Sequence, residues 1–270
     1  MHKTIMSART RAACVIVAAL ACTGGRCGTD PTEVRMSWED EFEGPAGESP
    51  DPAKWAFDIG TDWGNDQLEF DTARPENVSL DGEGHLAITA RKESYRGREF
   101  TSARIKTQGL FDRARGRFEA RIRLPAGRGI WPAFWLLGAD IGSVGWPECG
   151  EIDIMEYRGQ EPSVVHGSLH GPGYSGGSAL TRAYALPEGT FDEDFHVFAV
   201  DWDEDGITWY VDDHAYRTVA PGDLPSGARW VFNDPFFIIL NVAVGGHFVG
   251  SPDDSTLFPQ TMLVDWVRVY

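Results

Sequence analysis

Cysteine is scarce in this chain, and the four it has cannot staple a fold. Cys14, Cys22 and Cys27 crowd the first thirty residues, leaving Cys149 alone in the body. A disulfide framework and a cysteine-based zinc cluster are both excluded. Long helices are lacking too: 31 glycines and 16 prolines interrupt the sequence, and no window past the N-terminus repeats apolar residues with a 3.6-residue period. Beyond the N-terminus no apolar run is long enough to cross a membrane as a helix. Basic residues are outnumbered, 24 Lys and Arg against 41 Asp and Glu. That imbalance argues against nucleic acid and anionic lipid as partners and leaves a neutral or cationic target.

The one long apolar run, AACVIVAALAC, follows Lys3, Arg9 and Arg11 and gives way to polar TGGRCGTD. This is the order of an export signal, and it is too short for a stable anchor. Cleavage after Ala19-Leu20-Ala21 is expected, which makes the mature protein secreted. Cys22, directly behind a small residue, offers lipidation as an alternative fate. Residues 1–21 are thus read as signal, 22–36 as a polar linker and 37–270 as one domain. The signal carries three basic residues and no acidic one, so its removal leaves 21 basic against 41 acidic.

From Trp38 onward the pattern is strands and turns. In GRFEARIRL, Phe118, Ala120, Ile122 and Leu124 alternate with Arg117, Glu119, Arg121 and Arg123, one face for a core and one for water. FHVFAVDW, ITWYVDD and MLVDWVRVY repeat this alternation. PFFIILNVAVGG is apolar on both faces and is read as a strand between two packed layers. Its one polar residue, Asn241, is either a buried amide satisfied by backbone or a cleft-lining hydrogen-bonder. Many short strands without intervening helices predict an all-β sandwich.

The segment CGEIDIMEYRG sets Glu151, Asp153 and Glu156 among Ile, Met and Tyr. In a regular strand 151 and 153 share a face while 156 points the other way. A β-bulge at Ile154 and Met155 would bring all three carboxyls onto one face, and bulges commonly re-aim side chains beside active sites. Calcium prefers flexible loops rich in carbonyls, so a stiff strand suits acid–base chemistry better. A retaining glycosidase needs two carboxyls about 5–5.5 Å apart. Glu156 is read as the proton donor, Glu151 as the nucleophile, and Asp153 as the group that orients Glu151 and raises its neighbours' proton affinity.

Upstream, Trp131, Ala133 and Trp135 of GIWPAFWLLG share one strand face, and Trp146 directly precedes the acids. Indole faces stack on the flat C–H faces of sugars, so Trp131, Trp135 and Trp146 are read as carbohydrate contacts. Trp38, Trp202, Trp209 and Trp266 are assigned to the core.

Taken in order, WPAFWLLG, WPECGEIDIMEY, LHGPGYSGG, FHVFAVDW, WYVDD, PFFIILNVAVGG and VDWVRVY resemble glycoside hydrolase family 16, most of all its bacterial laminarinases. The resemblance runs from WEDEFEG to Tyr270. It implies a concanavalin-like jelly roll with a concave cleft, a monomer, β-1,3-glucan as substrate, retention, and no cofactor for catalysis. The family motif maps onto Glu151, Asp153 and Glu156, and the one-residue-shorter motif marks mixed-linkage lichenases. WGNDQLEF resembles a cleft segment in which Asn65 matches, while Gln67 stands where a Glu is often found. Arg104 and His170 fit cleft positions as well. The resemblance also implies a structural calcium, for which Glu41 and Asp265 are the candidates together with a backbone carbonyl near Gly82 to Gly84, although Asp265 reads equally as an exposed strand residue. A mixed-linkage β-1,3(4)-glucanase, a transglycosylase or galactan hydrolase, or a glucan-binding protein without catalysis, would share this fold.

Overall fold

The alternation in GRFEARIRL becomes the strand Gly116–Arg123, with Phe118, Ala120 and Ile122 fully buried. On its outer face Arg117 bridges Glu119 at 2.7 Å and Asp201 at 3.0 Å. The computed structural model describes residues 36–270, so the export signal, Cys22 and all but the last residue of the linker lie outside the described residues. Seventeen strands form two sheets, one of ten and one of seven, almost wholly antiparallel. The exception is Glu69–Asp71, which pairs parallel with Arg98–Ser102. The sheets pack face to face over a single large core, the expected all-β sandwich of jelly-roll type.

The seven-stranded sheet carries the site. Its strands run in the order Leu180–Ala185, Val164–His170, Glu151–Tyr157, Ile130–Gly138, Phe236–Val244, Arg104–Lys106 and Ala56–Asp58. Phe236–Val244 is buried throughout. Phe236, Ile238, Leu240, Val242 and Val244 enter the main core. The opposite face, expected from its apolarity to meet a second packed layer, meets none among the described residues. Phe237 and Ile239 pack there with Leu137 and Cys149, and Ala243 with Trp131 and Val249, so side chains of the concave face shield it.

Register fixes what lies across this face. His166, Glu156, Ala133, Asn241, Arg104 and Asp58 oppose one another in one row over six strands. Since neighbouring strands lie about 4.7–4.9 Å apart, Arg104 sits about 14 Å along the row from Glu156.

Of the tryptophans assigned to the core, Trp202 and Trp209 are fully buried and Trp38 packs partly buried against Trp55. Trp266 is a correction. The register between Gln260–Val269 and Gly116–Arg123 slips between Val264 and Trp266, which turns the indole outward under the Arg268 guanidinium, 4.2 Å from its centroid.

Candidate functional site

The strand Glu151–Tyr157 is bulged where its sequence predicts. Asp153 opposes Trp135 and Ser168, but two residues further Met155 opposes Phe134, and Glu156 opposes His166. Ile154 is therefore the extra residue. Ile152, Ile154, Met155 and Tyr157 all enter the core, while Glu151, Asp153 and Glu156 all line one cleft of about 780 Å³ on the concave face.

Desolvation dominates the electrostatics of the three acids, pushing each carboxyl up to about 8. Asp153 raises both glutamates further, and Glu156 raises Glu151, so the three share a mutual field and titrate as a set. Donors oppose this. Trp146 Nε1–H donates to Glu151 Oε2 at 3.0 Å, and Trp131 Nε1–H to Glu156 Oε1 at 3.2 Å. Asp153 is 3% exposed, and Trp209 Nε1–H holds its carbonyl at 2.8 Å.

His170 completes the cluster. Gly176 N–H donates to its Nδ1 at 3.1 Å, so that nitrogen carries the lone pair and the neutral ring hydrogen belongs on Nε2. Nε2 lies 3.0 Å from Asp153 Oδ2 and 3.7 Å from Glu151 Oε1. Glu151, Asp153 and His170 are the one trio among the described residues whose ligand atoms could gather on a metal ion. With Nδ1 already accepting a hydrogen bond, Nε2 carries the ring hydrogen and is not a ligand; it lies against the two carboxyls without a formed hydrogen bond to Asp153 Oδ2.

All the sequence-predicted contact residues line this cleft: Asn65, Arg104, Trp131, Trp135, Trp146, His170 and Asn241. Asn241 meets a side chain, accepting Trp135 Nε1–H at 2.8 Å. Arg104 Nε faces Asp58 Oδ2 at 3.0 Å and stacks against Trp135. Asn65 adopts a left-handed backbone (φ 57°), which Asn tolerates, and its carbonyl accepts His247 N–H at 2.9 Å.

Sequence reading missed several cleft residues, among them Trp63, Arg158, His247 and Phe248. Trp63 opens the very segment that yielded Asn65, and Arg158 follows the acids by two positions. Phe248 had no local signal. It reaches the cleft because Arg158 (4.2 Å), Trp131 and His166 pack around it.

Glu41 and Asp265, the two carboxylates expected at a calcium site, each face an arginine. Glu41 takes a two-pronged bond from Arg268 at 2.7 and 2.9 Å, and Asp265 pairs with Arg121 at 2.5 Å. A divalent ion would have to displace two guanidinium groups.

Residues 64–268 match the model of the glycosyl hydrolases family 16. A β-glucanase of Rhodothermus marinus is 44% identical over 244 residues, covering 87% of this chain and 84% of that protein. The laminarinase catalytic domain from Thermotoga maritima superposes with a TM-score of 0.82 at 48% identity, covering 87% of this chain and 97% of that one. The endo-β-1,3-glucanase from Pyrococcus furiosus superposes with a TM-score of 0.83, also at 48% identity, covering 87% and 94%. Family model, relatives and a jelly roll with three acids in its concave cleft agree: this chain belongs to glycosyl hydrolases family 16.

Proposed function

We propose that this chain is a secreted, endo-acting β-1,3-glucanase that hydrolyses its substrate with retention through a glycosyl-enzyme intermediate. The observation that carries this reading is the bulge at Ile154, which turns Glu151, Asp153 and Glu156 into one cleft. The cleft continues some three strands past the acids to Arg104, which suits the interior of a polymer more than a chain end. Similarity to a laminarinase and to an endo-β-1,3-glucanase supports the linkage.

In the first step Glu151 attacks the anomeric carbon while Glu156 gives its proton to the departing glycosidic oxygen. Burial suits Glu156 to that task by keeping its proton on near neutrality. Trp146 N–H and His170 Nε2–H face Glu151 and favour its ionised form. In the second step Glu156 takes a proton from water, the water oxygen attacks the same carbon, and Glu151 leaves as a carboxylate. Asp153, between the two and against His170, orients Glu151.

Purified protein should release reducing ends from laminarin faster than from lichenan, agarose or xyloglucan, and the first product seen by NMR should be the β anomer. An initial α anomer would overturn retention. Binding of laminarin without release would identify a glucan-binding protein, and faster cleavage of lichenan would reassign the linkage.

A further inference from the structure

Behind the cleft, away from the reacting centre, two more carboxyls are buried without a place in the mechanism. Glu69 and Asp71 are each 2% exposed. Glu69 Oε2 accepts Val244 N–H at 2.8 Å, which explains it as a strap on the central strand. Asp71 has no such structural use. One oxygen, Oδ2, accepts Trp63 Nε1–H at 2.8 Å, and the other, Oδ1, is buried with no partner.

Trp63 is the ring that this contact aims. It stands in a loop where Asp62, Asn65 and Asp66 all adopt left-handed backbone (φ 66°, 57° and 56°), a conformation that Asp and Asn adopt more readily than other side-chain-bearing residues. The loop is tied at its base, where Gly60 and Asp71 exchange backbone bonds at 3.1 and 2.7 Å and Thr61 Oγ1 donates to Glu69 O at 3.0 Å, and further out by Asn65 O, which accepts His247 N–H at 2.9 Å, and by the Asp62–Arg98 ion pair. Beyond that base, Asp71 fixes the indole. The Arg104 guanidinium is then sandwiched between Trp63 (5.2 Å) and Trp135 (4.8 Å) and steadied by Asp58.

We propose that Asp71 is a positioning residue: by holding Trp63 it builds Trp63 and Arg104 onto Trp135 as a second recognition platform, which extends to Arg104 about three strand spacings from Glu156, for the far end of a long glucan. Asp71 does not touch substrate and takes no part in proton transfer. Burial and the neighbouring Glu69 hold its carboxyl well above the usual range, so a neutral amide is a fair isostere. The inference rests on the β-glucan reading above.

The test is initial-rate kinetics on laminarin oligosaccharides of increasing length with Asp71→Ala, Asp71→Asn, Trp63→Phe and the Asp71→Ala/Trp63→Phe pair. Asp71→Ala and Trp63→Phe should each raise KM for the longest substrates about fivefold to tenfold, the worth of one lost hydrogen bond, and leave kcat within about twofold. The shortest cleaved substrates should be unaffected, because they do not reach the platform. Asp71→Asn keeps an acceptor oxygen and should retain the wild-type KM. The pair should be no worse than either single change, since both break one contact. Wild-type KM in Trp63→Phe on long substrates, loss in Asp71→Asn equal to that in Asp71→Ala, or multiplicative effects in the pair would each overturn the assignment. Should Asp71→Ala fail to fold, Trp63→Phe and Asp71→Asn still decide. A wild-type enzyme silent on every β-glucan would instead sink the functional reading, and this one with it.

Discussion

Glu151 and Glu156 share their burial, and each accepts one indole hydrogen, Glu151 from Trp146 and Glu156 from Trp131. Trp146 and His170 turn hydrogens toward Glu151, so removing its carboxyl vacates a pocket already suited to an anion. Glu151→Ala should therefore lose essentially all turnover and regain part of it with external azide, giving an α-glycosyl azide. A β-azide would exchange the two roles. The raised carboxyls also carry a stability consequence. Glu156 ordinarily titrates at 4.5 and is pushed up to about 8, so across that window the native state holds more protons than the unfolded chain. Stability contributed by this group is complete below the lower value and declines as pH rises through the upper one. Glu156→Gln should leave the thermal midpoint near pH 5 unchanged and raise stability at about pH 9 by about 2 kcal/mol, discounted for water in an open cleft. An unchanged midpoint at the higher pH would contradict it.

At the scale of one element, the bulge gives a prediction of its own. Deleting Ile154 leaves Glu151, Ile152, Asp153, Met155, Glu156 and Tyr157 in strict alternation, so the three acids should stay on the cleft face. The deletion removes a side chain that is 1% exposed, at a cost of about 2–5 kcal/mol. It also removes the local twist that leans Glu156 toward Glu151. The variant should fold with a lower melting temperature and lose most activity on laminarin, measured by circular dichroism and reducing-end release. Undiminished turnover would mean the bulge is incidental. This element was legible in the sequence because three acids in an apolar strand leave few arrangements that keep them together on one face. Trp131 and Trp135 were legible for a related reason, alternation along a strand fixing their face, whereas Asn241 stayed open because its strand is apolar on both faces. Trp63 and Phe248 were not, since loops carry no periodicity and their positions come from distant partners, Asp71 for one and Arg158 for the other. Glu41 and Asp265 were read from a resemblance, and only the fold could show that arginines from the neighbouring strands meet them.

For the molecule as a whole, the surplus of acid governs what can approach. Formal net charge is −17, and the concave cleft adds three acids of its own, countered locally by Arg104 and Arg158. A neutral glucan feels little of this field, because its recognition rests on indole faces and hydrogen bonds. An anionic glucan feels all of it. Between exposed charges the screening length falls from about 30 Å at 0.01 M salt to about 3 Å at 1 M. Across that range kcat/KM on laminarin should change less than about twofold, whereas kcat/KM on a carboxymethylated β-1,3-glucan should start far lower and climb about tenfold or more as repulsion is screened. Initial rates on the two polymers, matched for chain length, read this directly. Equal salt dependence on both would show that the charge surplus lies too far from the cleft to act as a filter, and that substrate choice is settled wholly by contacts within it.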